Sequence, residues 1–116
     1  MIRELRHKPE IFDHLHNDHF FYQLYDENGV YGYAALDFTY LPDCILHLEV
    51  TRFSGDIFVS LTDYDWAEAK VIMKRYGANR VIVNHASDHK DKLWSKFVKK
   101  FGFNEPVKYI TTYQEI

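Results

Sequence analysis

Two periodicities divide the chain. Phe20 to Tyr25 is a run of aromatic and aliphatic residues around one Gln, and it reads as a strand. Asp26-Glu27-Asn28-Gly29 follows, and Asn-Gly is the strongest short signal for a hairpin turn. Val30 to Tyr40 reads as the return strand, and Leu41-Pro42-Asp43 breaks it. Cys44 to Val50 alternates, with Ile45, His47 and Glu49 on one face and Leu46, Leu48 and Val50 on the other. Upstream, Met1 to Leu5 reads as a first strand. Pro9 suits a helix start, with Ile11, Phe12 and Leu15 as a short apolar stripe.

The second half turns to helical spacing. Thr62 or Asp63 offers an N-cap, and Trp66, Ala69, Met73 and Tyr76 recur on one helix face until Gly77 closes it. Thr51 to Leu61 fits neither period. The stretch from Gly77 to Phe103 organises the rest. It opens with a short buried strand, Arg80 to Asn84, built on the β-branched run Val81-Ile82-Val83. After a polar link, Asp88 can cap a helix whose apolar face is Leu93, Phe97 and Phe101, flanked by Trp94 and Val98. Lys92, Lys96, Lys99 and Lys100 lie on the other face, Gly102 fits the C′ position, and Phe103 can fold back onto the helix. Pro106 breaks the chain before a final strand, Val107 to Tyr113.

At 116 residues the chain has the length of one domain, residues 1–116, with a single core. Its 47% hydrophobic and 17% aromatic content indicates a folded globule. The longest apolar runs fall far short of the roughly 20 residues of a membrane span, and MIRELRHKPE lacks the apolar centre of a signal peptide. Cys44 has no second cysteine to pair with, so a reducing, cytoplasmic setting is expected. A net charge of −3 argues against a general nucleic-acid binder, and the lysines of residues 90–100 are explained as the solvated face of a helix.

Strand, polar link, helix and Gly102-Phe103 together resemble the C-terminal half of the GNAT superfamily of acyl-CoA-dependent N-acyltransferases. Gly29-Val-Tyr-Gly-Tyr-Ala-Ala-Leu36 is similar to that family's second hairpin. The chain resembles most the short, divergent GNAT-like proteins of tailed phages, which would place it in a host cytoplasm. The resemblance implies an α/β (α+β) fold: a central mixed sheet, antiparallel in its N-terminal half, with helices on both faces. It implies that the strands at 44–50 and 80–84 are parallel neighbours. It also implies acetyl-CoA as cofactor, lying between strand ends near Val50 and Asn84 and against a loop that holds the pyrophosphate.

The loop Arg52-Phe-Ser-Gly55-Asp-Ile57 matches the family's Arg and first Gly, while Ile57 stands where Gly or Ala belongs and Asp56 opposes a phosphate. Asn84 and Ser87 lie in the link that, by the resemblance, faces the cofactor, though out of register with the family's helix-opening Asn. Glu49 is the candidate base, since family members use a carboxylate on the fourth strand to take the amine proton. The Tyr that protonates the leaving thiolate would stand at Val98, which cannot do so, and Asp91 falls near the position of the family's helix-opening Asn.

His14, His16 and His19 lie within six residues, but not at a recognised ligand spacing, and no metal is expected. His85 and His89 read as polar loop residues. The aromatics from Phe20 to Tyr40 lack interleaved basic residues, so core packing on one face and a protein interface on the other is expected, a homodimer included. Two functions stay open: an N-acyltransferase acting on a protein or a small amine, and a non-catalytic phage module binding a structural or host protein.

Overall fold

Asn28 and Gly29 turn the chain between β2 (Phe20–Asp26) and β3 (Gly29–Asp37). The Asn28 amide donates to the Asp26 carboxylate at 2.8 Å, and Gly29 takes a φ of +110°, a region that side chains disfavour. The structure, a computed structural model, describes residues 1–51, 62–84, 101–103 and 111–116. Among these, one sheet has the order β1-β2-β3-β4-β5-β6. The other strands are β1 (Ile2–Leu5), β4 (Asp43–Val50), β5 (Arg80–Asn84) and β6 (Thr111–Glu115). The first four strands pair antiparallel in sequence order. β4 and β5 are parallel, and β6 returns antiparallel to β5. This is the expected mixed sheet, with the expected parallel pair.

Three boundaries differ from the sequence reading. β3 ends at Asp37, short of Tyr40, because the Asp37 carboxylate accepts the Thr39 amide at 2.9 Å and turns the chain. The last strand reaches Glu115, beyond Tyr113, because Gln114 and Glu115 find partners in Val81 and Arg80; residues 107–110 lie outside the described residues. The segment after Pro9 is a single 3-10 turn, Glu10–Phe12, in which Phe12 is fully buried and Ile11 exposed. Too few residues separate Pro9 from β2 to repay the cost of nucleating an α-helix.

The helix α1 (Asp63–Arg75) begins as expected: Thr62 is its N-cap, and its hydroxyl accepts the Asp65 amide at 3.1 Å. Trp66 and Met73 of α1 bury against Tyr22, Leu36, Leu46 and Val83 of the sheet. Phe101 and Phe103 join this core as expected, each ring centred 5.5 Å from that of Trp66. Tyr76, expected on the same stripe, is instead the C-cap, partly exposed and packed on Phe20 and Phe38. Two buried polar residues tie the layers together. Asp65 receives the Tyr31 hydroxyl at 3.3 Å and the Met1 amino group at 2.8 Å. Gln114 accepts from Trp66 Nε1 at 3.2 Å and donates to the Phe101 carbonyl.

The opposite sheet face carries a smaller core of Phe12, Phe21 and Ala35, rimmed by Leu5, Leu15 and Tyr33. This corrects the expectation that alternation turns half the β2–β3 aromatics outward. Phe21 and Tyr22 point to opposite faces yet are each only 5% exposed, because each face has its own cover. Among the described residues, the cover of this second face is the 3-10 turn. The basic helix expected from Asp88, with Phe97, lies outside the described residues. No described helix is long and apolar enough to cross a membrane.

Candidate active site: a parting of two parallel strands

β4 stays paired with β3 to its last residue, Val50, which faces Gly32. Its ladder with β5 is shorter, running from Asp43↔Arg80 only to Leu46↔Val83. β5 continues to Asn84, paired with Thr111 of β6. Beyond Leu46 and Val83, among the described residues, β4 continues beside β3 and β5 beside β6. From His47 to Val50 the peptide groups of β4 that point towards β5 have no ladder partner among the described residues, and the segment that follows β5 lies outside them. Peptide groups need partners, so this edge fits a ligand that brings amides of its own.

The closed end of the ladder is clamped. Arg80 Nε and Nη2 donate to the two Asp43 carboxylate oxygens, each at 2.9 Å. These hydrogen bonds hold the Asp43 carboxyl below the usual carboxylate range.

Val50 and Asn84 are the last residues of β4 and β5. Glu49 is half-buried on β4, directly across from Tyr33. Arg52, Gly55 and Ser87 lie outside the described residues, as do Asp56, Ile57, Asp91 and Val98.

His47 shares Glu49's face, and here the structure adds what the sequence reading missed. The His19 ring lies 5.6 Å from that of His47, edge to face. His19 Nε2 is 3.8 Å from Asp37 Oδ2. His19 Nδ1 faces the His16 carbonyl at 3.1 Å and the Asp18 carboxylate at 3.2 Å. Both ring nitrogens of His19 thus face oxygens, which fixes the ring. Burial pushes the His47 imidazole below its ordinary value; His19 and His14 add to this, and Asp37 opposes it. Burial raises the Asp37 carboxyl, but the hydrogen bonds from Thr39 and the charges of His19 and His47 outweigh it, and the net shift is downward.

Alternation along β4 made the pairing of His47 with Glu49 legible. Nothing local signals that His19 leaves its neighbours His14 and His16 to meet residues of β3 and β4. Among the described residues no three of His, Cys, Asp and Glu are grouped to hold a metal ion. Cys44 is fully buried, and burial, with the Asp37 charge next, pushes its thiol up to about 12, so it is not a nucleophile. Leu36, Leu46, Trp66 and Met73 help line an apolar cavity of about 40 Å³ beneath α1, too small for a substrate.

No family model matches the sequence, and no curated protein matches it. Solved structures do match. The chain is similar to the Bacillus subtilis acetyltransferase in complex with CoA, with a TM-score of 0.62 over 99% of this chain and 97% of that one, at 12% identity. It is similar to a Desulfovibrio desulfuricans protein assigned to the GNAT family of acetyltransferases, with a TM-score of 0.61 over 84% of this chain and 68% of that one, at 14% identity. The backbone is that of the GNAT fold. The cAMP-binding acyltransferase from Mycobacterium smegmatis shares it with a TM-score of 0.58 at 14% identity, where the match covers 85% of this chain and 30% of the other.

Proposed function

We propose that the chain is an acyl-CoA-dependent N-acyltransferase domain. The observation that carries this reading is the parallel β4–β5 pair at the centre of the mixed sheet, whose ladder among the described residues runs from Asp43↔Arg80 to Leu46↔Val83 while β4 runs on to Val50. The pantetheine of acetyl-CoA, with its two amides, fits the unpaired β4 edge, and Val50 and Asn84 flank it. The thioester supplies the acyl group. In this reading Arg52 and Gly55 hold the pyrophosphate, and Ser87, in the sequence after β5, contacts the cofactor. Glu49 places a negative charge on the face of β4 shared with His47, which attracts an ammonium group. The acceptor is then a small amine or a protein amine.

Calorimetry with acetyl-CoA tests this reading. Arg52→Ala is expected to weaken binding, and Asp56→Gly to strengthen it by removing a charge that repels phosphate. At a hundredfold its Kd, the ligand stabilises the fold by about 2.7 kcal/mol, visible as a rise in Tm. A second reading rests on Val98, which stands where the resemblance asks for a proton-donating Tyr. It makes the chain a GNAT-fold module without catalysis that binds another protein. Absence of heat from wild-type, Arg52→Ala and Asp56→Gly proteins alike selects this second reading.

A further inference from the structure

Three side chains from separate parts of the chain meet beside the strand opening, on the sheet face away from α1. His19 precedes β2, Asp37 ends β3, and His47 follows the last β4–β5 pair among the described residues. The His19 and Asp37 side chains are 8% and 15% exposed. His47 is only half-buried and remains reachable. Glu49, on the same face, stands two residues and roughly 7 Å further along the strand.

An amine in water near neutral pH is mostly an ammonium ion and must lose a proton before its nitrogen can attack. The acceptor must be unprotonated at that pH and still basic enough to take the proton. An imidazole meets both conditions better than a carboxylate, with ordinary values of about 6.5 against about 4.3 for Glu. Burial, with the His19 imidazole next, favours the neutral form of His47, and Asp37 opposes it. The charged and titratable groups around His47 are His19 and His14 from the segment before β2 and Asp37 from β3, with Ala35 directly across from it on β3 and Glu49 two residues further on its own strand.

We infer that His47, rather than Glu49, takes the proton from the amine, and that His19 and Asp37, which converge beside it, are positioning residues. The inference rests on the acyltransferase reading. A primary ammonium ion passes one proton to His47, which returns it to water. The nitrogen lone pair then forms the bond to the thioester carbonyl carbon, and the carbon–sulfur bond breaks. The second proton leaving nitrogen ends, through water, on the departing thiolate. The products are the amide, the CoA thiol and one proton in solution.

The test combines imidazole titration by NMR, acetyl-CoA calorimetry, and acetyl transfer to n-butylamine and to hydroxylamine, with thermal melting as a check that each variant folds. Butylamine needs a base at neutral pH, whereas hydroxylamine is already neutral. His47→Gln is expected to slow transfer to butylamine about a hundredfold or more and to hydroxylamine far less. The acid limb of kcat/KM should coincide with the His47 titration. His19→Asn should move both to higher pH and Asp37→Asn should move both to lower pH, opposite shifts that a merely structural role does not produce. If His47→Gln stays within about threefold of wild type while Glu49→Gln loses activity, the base is Glu49. Acetyl-CoA binding without transfer to either amine also overturns the role of His47. Wild-type protein that binds no acetyl-CoA overturns the acyltransferase reading itself, so the binding measurement tells the two failures apart.

Discussion

Arg80 grips Asp43 across the first step of the parallel β4–β5 ladder, with two hydrogen bonds of 2.9 Å. Three steps on, Leu46↔Val83 is the last pair of the ladder among the described residues. The clamp therefore sits at the start of the ladder and fixes its register.

Loss of that clamp should be visible in acid–base terms. Because Arg80 lowers the folded-state pKa of Asp43 from its ordinary 3.8, the pair contributes stability above that value and loses it as pH falls through the lower one. Asp43→Asn should lower Tm slightly at neutral pH and leave it unchanged in strong acid, where the wild-type carboxyl is protonated. Added salt should shrink the neutral-pH difference. A difference that persists in acid contradicts this account.

The core beneath α1 sets the stability scale. Met73 is fully buried among sheet and helix side chains, so Met73→Ala should cost about 2–5 kcal/mol. Glu68, exposed on the same helix, should tolerate Ala within about 0.5 kcal/mol. Urea denaturation of both variants checks the rotation of α1 on the sheet; equal costs are incompatible with it.

The ends of α1 are separately testable. Thr62→Ala removes the side-chain cap and should cost about 1 kcal/mol. Gly77 has a φ of +97°, while the nearest atom a Cβ would meet, Leu41 Cδ1, is an ordinary 3.7 Å away. Gly77→Ala should therefore cost roughly 1–2 kcal/mol through the backbone alone, with no steric contribution. Denaturation midpoints measure both.

Gln114 is buried at the sheet edge and bonds to both Trp66 and the Phe101 carbonyl. Gln114→Leu keeps the volume and removes both hydrogen bonds, and should cost about 1–3 kcal/mol. Tryptophan fluorescence during unfolding reports the effect on Trp66 directly.

The histidine cluster predicts a second pH dependence. The folded-state pKa of His47 lies below its ordinary 6.5, so the unfolded chain binds this proton more readily. Stability from this group is full above about 6.5 and is lost as pH falls through the lower folded value. His47→Gln should flatten this part of the stability–pH curve, as followed by Tm across the acid range. An unchanged curve would assign the dependence to another group.

Much of the fold was legible in the chain itself. Asn28-Gly29 placed the hairpin, alternation from Cys44 to Val50 placed β4 and its two faces, and Thr62 with Gly77 bracketed α1. These signals are local: a turn, a period and a cap depend on neighbours a few residues away. The extent of each strand was less legible. β3 stops at Asp37 because of one side-chain hydrogen bond, and β6 reaches Glu115 because β5 offers partners.

For the candidate site, the sequence alone determined that His47 and Glu49 share a face of one strand, because a strand repeats every two residues. It also determined that Cys44 has no partner for a disulfide. Only the tertiary structure decided that β4 lies between β3 and β5 and that β5 lies between β4 and β6, since strand order depends on pairings made far apart in the chain. Only it decided that His19 and Asp37 meet His47. Those three residues are far apart in the chain, and no local period records a contact made by the pairing of β2, β3 and β4.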